Sequence, residues 1–151
     1  MPKASVKRLI ECKKDQLTEL VLDIEKYPEF VPFCLDAHIY EKKKEGNSIL
    51  IIADLTIGKS LIKDTYKSNV KFNKIDSSIK VTNIGGPLKH LENTWNFIQK
   101  ENGTEIFFDI DFEIKNKFLS IVMSKSFQFG LDKIADAFQK RAKVLYKSIE
   151  D

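Results

Sequence analysis

Residues 104–114 read TEIFFDIDFEI. Ile106, Phe108, Ile110, Phe112 and Ile114 fall on one side of a two-residue period, and Glu105, Asp109, Asp111 and Glu113 fall on the other. Such alternation makes a strand with one face in a core and one in water. A chain built around it must supply partner strands and an apolar cover for the inner face.

The partner strands are written in the preceding residues. Asn102-Gly103 is a two-residue hairpin signal, and residues 88–99 place Leu91, Trp95 and Phe97 on one face. Residues 79–84 give a shorter strand closed by Gly85-Gly86-Pro87. Ile62, Tyr66, Val70 and Phe72 share a face of the strand before it. Ile49, Ile51, Ala53, Leu55 and Ile57 share a face of the next one back, entered through Glu45-Gly46-Asn47. Residues 4–12 add a strand with Val6, Ile10 and Cys12 on one side. Connections between neighbouring strands are too short for parallel crossovers, so about seven strands pair antiparallel, and a sheet that wide must curl or be covered.

The cover lies at the C-terminal end. Across residues 118–149, Leu119, Val122, Met123, Phe127, Leu131, Ile134, Phe138, Ala142, Leu145 and Ile149 recur at three- and four-residue spacing, the mark of an amphipathic helix, roughly 45 Å long at 1.5 Å per residue. A shorter helix, capped by Asp15, runs through Leu17, Leu20, Val21 and Ile24. The expected fold is α+β, a curved antiparallel sheet wrapped around a long C-terminal helix, in one domain over residues 1–151. A curved sheet and a straight helix leave a gap between their apolar faces. That gap either fills with side chains or holds a ligand, and periodicity does not decide which.

Composition narrows the partners. A chain that is 42% hydrophobic and 31% charged is ordinary for a globular protein. Its net charge is only +3, and of its 25 lysines and arginines only Arg8 and Arg141 are arginines. Arginine is the usual reader of phosphate and guanine, so DNA is not an expected partner. A lysine-rich surface remains compatible with anionic lipid. Cys12 and Cys34 read as free thiols of a reducing compartment. With His38 and His90 they have no metal-ligand spacing, and no cofactor is expected. The N-terminal residues lack the apolar core of a secretory signal. The longest apolar run, residues 49–53, is far short of the ~20 residues of a spanning helix. The expected location is a bacterial cytoplasm, with at most peripheral contact at the inner-membrane surface.

Several constellations have catalytic and structural readings. Asp109 and Asp111 share a strand face and read as its solvated side. His90 and Glu92 share a face beside the Gly-Gly-Pro turn, either as an acid/base pair at a cavity mouth or as a histidine hydrogen-bonded near a turn. Trp95, Phe97, Phe108 and Phe112 are core or pocket. Residues 27–34, YPEFVPFC, gather two prolines and three aromatics where neither helix nor central strand can run. They form either a plug on one end of the core or an aromatic lid over a cavity.

YPEFVPFC, GGPLKHLENTWNF at 85–97, FFDIDFEIKNKFL at 107–119 and LDKIADAFQKRAKVLY at 131–146 together resemble the START-like coenzyme Q-binding family, of the polyketide cyclase/START superfamily, which includes bacterial ribosome-association toxins of the RatA type. Phe33 stands where tryptophan is common in that family, and residues 58–61 are less aromatic and glycine-rich than its pattern. The resemblance implies a helix-grip fold and a hydrophobic tunnel holding a polyprenyl quinone such as ubiquinone, without catalysis, in support of respiration or quinone biosynthesis. It also implies a ribosome-directed alternative, and the fold is known in cyclases and aromatases. On this reading the ligand-binding candidates are Tyr27, Phe30, Val31, Phe33, Leu55, Leu88, His90, Leu91, Trp95, Phe97, Phe108, Phe112, Phe127 and Leu131, with Tyr27, His90 and Trp95 as hydrogen-bond donors to the quinone head. The implied partners are the quinone, the inner-membrane surface, respiratory or quinone-biosynthesis proteins, and the ribosome.

Overall fold

Alternation of apolar and polar residues produces the expected meander. The structure, a computed structural model, describes residues 3–59, 61–84, 88–115, 117, 121 and 127–146. Strand β1 (Lys3–Ile10) leads into helix α1 (Lys14–Leu22) and a 3-10 helix (Ile24–Glu29). Strands β2 (Cys34–Glu45), β3 (Ser48–Lys59), β4 (Ile62–Asn73), β5 (Ser78–Asn83), β6 (Leu88–Lys100) and β7 (Gly103–Ile114) follow, and then helix α2 (Phe127–Tyr146). The seven strands form one antiparallel sheet in the order β1-β7-β6-β5-β4-β3-β2. The first strand thus returns to pair with the last, and α1 with the 3-10 helix carries the chain across to the opposite edge. Register shifts between Cys34 and Asp36, between Ile39 and Glu41, and between Leu88 and His90 add the local twist that curves the sheet.

The core sits on the concave side. Val6, Ile10, Ile51, Ala53, Val70, Ile79, Trp95, Phe97, Ile106 and Phe108 from the sheet meet Leu17, Leu20 and Val21 of α1 and Leu131, Ala135, Phe138 and Ala142 of α2. Helix α2 approaches the sheet most closely at β1. There Arg8 bonds to Asp136 and, at 3.2 Å, to Gln139. At the other side of the helix Arg141 pairs with Glu29 at 2.9 Å. No helix among the described residues is long and apolar enough to cross a membrane.

Three local expectations are corrected. Asp15 does not cap α1; Lys13 holds that position, its backbone N–H donates to Oε1 of Gln16 at 3.0 Å, and Asp15 lies in the first turn, where a carboxylate favours the helix dipole. Strand β1 ends at Ile10 rather than Cys12, because the chain turns there: Cys12 N–H donates to Ile10 O, and the Cys12 carbonyl accepts Thr104 Oγ1 at 2.8 Å. The last hairpin turns on Glu101-Asn102, with Lys100 facing Gly103. Of the expected helix over residues 118–149, the span 127–146 is helical; Leu119, Val122, Met123 and Ile149 lie outside the described residues.

Gly103 explains why the turn sits one residue early. Its φ is +149°, and a Cβ there would stand 2.4 Å from the Ile10 carbonyl oxygen. Strand β1 crosses too closely for any side chain. Gly46 also has a positive φ, +55°, but open space around its Cβ position. Gly103→Ala should therefore cost at least about 2–3 kcal/mol, and Gly46→Ala about 1 kcal/mol. Urea unfolding of both variants checks this; equal costs would show that β1 does not end against that backbone.

Candidate functional site

The concave side of the sheet is not completely filled. A cavity of about 180 Å³ lies between α2 and the inner faces of β3 to β7, closed at one end by residues 31–34. Alternation explains its walls: Leu55 and Ile57 from β3, Tyr66, Ser68 and Val70 from β4, Ile79 and Val81 from β5, Leu91, Asn93 and Trp95 from β6, and Phe108 and Ile110 from β7 all point inward. Val21, Ile24 and Tyr27 close it from the first helical segment, and Leu131, Ile134 and Phe138 from α2. No Asp, Glu, His, Lys or Arg is among its described lining residues.

Aromatic edges make the cavity's firm corner. The Phe138 ring meets Trp95 at 5.2 Å, Tyr27 at 5.5 Å and Phe30 at 5.1 Å, all edge-on. Trp95 meets Phe108 at 4.4 Å and stacks on Phe97 at 6.2 Å. Edge-to-face pairs of this kind hold geometry better than aliphatic contacts of equal area. Most polar lining groups are already engaged. Trp95 Nε1 donates to Asn93 Oδ1 at 3.1 Å, and Asn93 Nδ2 donates to the Asp109 carbonyl at 2.7 Å. Ser68 Oγ donates to the Ala53 carbonyl, and the Tyr27 hydroxyl donates to the Val21 carbonyl. Burial holds the Tyr27 and Tyr66 phenols well above their ordinary pKa and lifts the Cys34 thiol from 9.0 to about 11.

The segment 27–34 runs from a 3-10 helix through a turn into the first residue of β2. It begins as the end of the 3-10 helix, with Pro28 inside it. It then turns through Phe33, whose φ of +67° lies in the left-handed region, uncommon for an aromatic residue. The Phe33 carbonyl accepts the Gly58 N–H at 3.0 Å, which ties this segment to the end of β3. Pro32, Phe33 and Cys34 thus form one rim.

The sequence candidates divide. Tyr27, Val31, Phe33, Leu55, Leu91, Trp95, Phe108 and Leu131 line the cavity. Phe97 is buried behind Trp95 and does not reach it. Phe30 lies outside it, packed on Phe138 and Tyr27 beneath the Arg141 guanidinium, 5.1 Å from the ring centre. His90 is corrected outright: it alternates with inward Leu91, sits on the convex face, and faces Asp111 at 3.5 Å. The side chains of Leu88, Phe112 and Phe127 lie outside the described residues. Missed were Tyr66, Cys34, Asn93, Ser68 and Phe138. The period of two marks Asn93 as inward between Leu91 and Trp95, and the helical stripe marks Phe138. A polar residue on an apolar face was the available signal.

Residues 10–139 match the family described as polyketide cyclase / dehydrase and lipid transport. The chain belongs to this family. It is 32% identical over 143 residues to the ribosome association toxin RatA of Rickettsia prowazekii, covering 93% of this chain and 95% of that protein. It is 34% identical over 137 residues to the mitochondrial coenzyme Q-binding protein COQ10 of Dictyostelium discoideum, covering 89% of this chain and 65% of that one. Among solved structures, an 18 kDa protein of Caulobacter crescentus superposes with a TM-score of 0.78 at 28% identity, covering 97% and 99% of the two chains. A START superfamily protein from Mycobacterium smegmatis (TM-score 0.76, 18% identity, covering 95% and 98%) shares the fold. So does the Zhui aromatase/cyclase of a Streptomyces species (TM-score 0.75, 12% identity, covering 94% and 93%). The description of the family spans polyketide cyclase and lipid transport, and the seven-stranded sheet gripping α2 is the helix-grip fold these structures share.

Two outcomes follow from the geometry. Phe30→Ala removes a ring that supports Phe138 and Arg141 from outside the cavity, so it should cost about 2–3 kcal/mol of stability and change the affinity of a cavity ligand less than about threefold. Binding lost at unchanged stability would instead make Phe30 a lid. For Cys34, only the thiolate reacts with iodoacetamide. Its labelling, followed by mass spectrometry, should be slow at pH 8 and rise toward pH 11. The raised pKa also contributes stability that is present below pH 9 and is lost as pH rises from 9 toward 11. Rapid labelling of the folded protein at pH 8 would contradict the buried placement.

Proposed function

We propose that this protein binds a polyprenyl quinone of the ubiquinone type without transforming it, and carries or presents it in support of respiratory electron transport or quinone biosynthesis. The observation that carries this reading is the apolar cavity, with no charged group among its described lining residues. General acid–base chemistry needs a positioned proton donor and acceptor of suitable pKa. The lining offers phenols and a thiol that burial keeps protonated at neutral pH. The similarity to a coenzyme Q-binding protein over 89% of this chain supports the choice of a quinone.

Volume sets what enters. A dry apolar cavity of about 150 Å³ takes benzene, so about 180 Å³ suits one substituted six-membered ring. A multi-unit tail needs more room than this and would leave through the rim or part residues 27–34 from α2. Apolar transfer of about 0.8 kcal/mol per methylene gives up to about 4 kcal/mol for each five-carbon prenyl unit, so affinity requires no charged anchor. No metal or organic cofactor enters this mechanism.

A second reading is a regulator that acts on ribosomes. It rests on similarity over most of the chain to proteins named ribosome association toxin RatA in Rickettsia, Escherichia and Vibrio. Sucrose-gradient profiles of ribosomal subunits with added protein separate the two: a shift toward free subunits supports it, and unchanged profiles remove it.

Native mass spectrometry of protein expressed in a quinone-producing host should find one quinone per chain. Ile134→Phe, which fills the cavity from α2, should reduce that occupancy at least tenfold while changing stability by no more than about 1–2 kcal/mol. Empty protein that also fails to bind added quinone would overturn the reading.

A further inference from the structure

Among the described lining residues, Tyr66 carries the uncommitted hydroxyl. It lies on the inner face of β4, opposite Leu55 of β3, and lines the cavity. Tyr27, Ser68, Asn93 and Trp95 each donate to a carbonyl or amide oxygen of the protein. Among the described residues, the Tyr66 hydroxyl makes no hydrogen bond. A hydroxyl that faces an apolar cavity without a protein acceptor is stabilised by any acceptor that reaches it. Its neighbour is Cys34, close enough that, after burial, it further disfavours ionisation of the phenol, and the thiol's contact to the Asp36 carbonyl is a long 3.7 Å.

We infer that Tyr66 is the polar anchor of the cavity: its hydroxyl donates a hydrogen bond to a carbonyl oxygen of the bound molecule, so that the carbonyl-bearing ring lies against β3, β4 and Cys34. The ligand class this selects is a largely apolar ring compound with a carbonyl acceptor. Burial keeps the phenol protonated across the physiological range, so it offers a donor and never an anion. The inference deepens the quinone reading and rests on it only for the identity of the ring.

The test uses the full chain and a matched pair of probes, acetophenone and isopropylbenzene, which are alike in shape and differ in the carbonyl. Calorimetry on the wild type should show acetophenone bound about five- to tenfold more tightly, the value of one buried hydrogen bond. Tyr66→Phe should fold with equal or higher thermal stability and lose that preference while retaining isopropylbenzene. The carbonyl stretching frequency of bound acetophenone should be lowered in the wild type and return toward its apolar-solvent value in the variant. Equal preference in the two proteins, or an unshifted carbonyl band in the wild type, overturns the inference. A parallel titration with ubiquinone carrying a two-unit tail keeps the questions apart. If acetophenone behaves as expected and this quinone does not bind, the anchor stands and the quinone reading falls. If the quinone binds both proteins alike, the quinone reading stands and the anchor falls.

Discussion

Seven strands about 4.8 Å apart make a sheet roughly 29 Å wide, whereas an α-helix with its side chains is only about 10–12 Å across. One helix cannot cover such a sheet if the sheet is flat. The strands must curl around it, and the register shifts in β2 and β6 are where this chain accommodates the bend. Helix α2 then rests against β1 and α1, pinned by Arg8–Asp136 on one side and Arg141–Glu29 on the other. The inner faces of β3, β4 and β5 stand off from it. The cavity is the space that this mismatch of widths leaves.

That origin explains what the cavity contains. Its walls are the core faces of strands, so they are apolar by the same alternation that makes the strands. Charged residues went to the convex face, where His90 and Asp111 meet. Among the described residues, most polar groups inside are tolerated on an inner strand face because a neighbouring carbonyl accepts their hydrogen, as with Ser68 and Asn93, and Tyr66 is the exception. A space of this kind recognises shape and apolar area first and one or two oxygens second. Such walls are consistent with the proposed binding of a ring compound with a hydrocarbon tail.

The sheet and α2 were legible because their periods, two and three-to-four, are imposed by burial on one face. Ile106, Phe108 and Phe138 could be placed without coordinates. Residues whose position depends on another part of the chain were not. Gly103 was read as half of a hairpin signal, and its real constraint is the Ile10 carbonyl, ninety-odd residues earlier in sequence, pressed against its Cα. Phe30 was grouped with the lining aromatics of its segment, yet the left-handed turn at Phe33 sends Val31, Pro32 and Phe33 to the cavity rim while Phe30 packs outside on Phe138. The donor chemistry of His90 suggests a ligand contact, whereas its parity with Glu92 puts it opposite Leu91. Tyr66 shares a strand face with Val70 and Phe72 in the sequence pattern, and only the folded neighbours, with their donors engaged, set its hydroxyl apart.

Trp95 is the single tryptophan of the chain and forms part of the cavity wall, and quinones quench indole emission on contact. Titration of the protein with a short-tailed ubiquinone, followed by tryptophan fluorescence, therefore reads occupancy of this space directly. The account predicts saturable quenching at one quinone per chain, abolished when Ile134→Phe fills the cavity. Quenching that never saturates, or that survives unchanged in the filled variant, would mean the space between the curled sheet and α2 is not where a quinone binds.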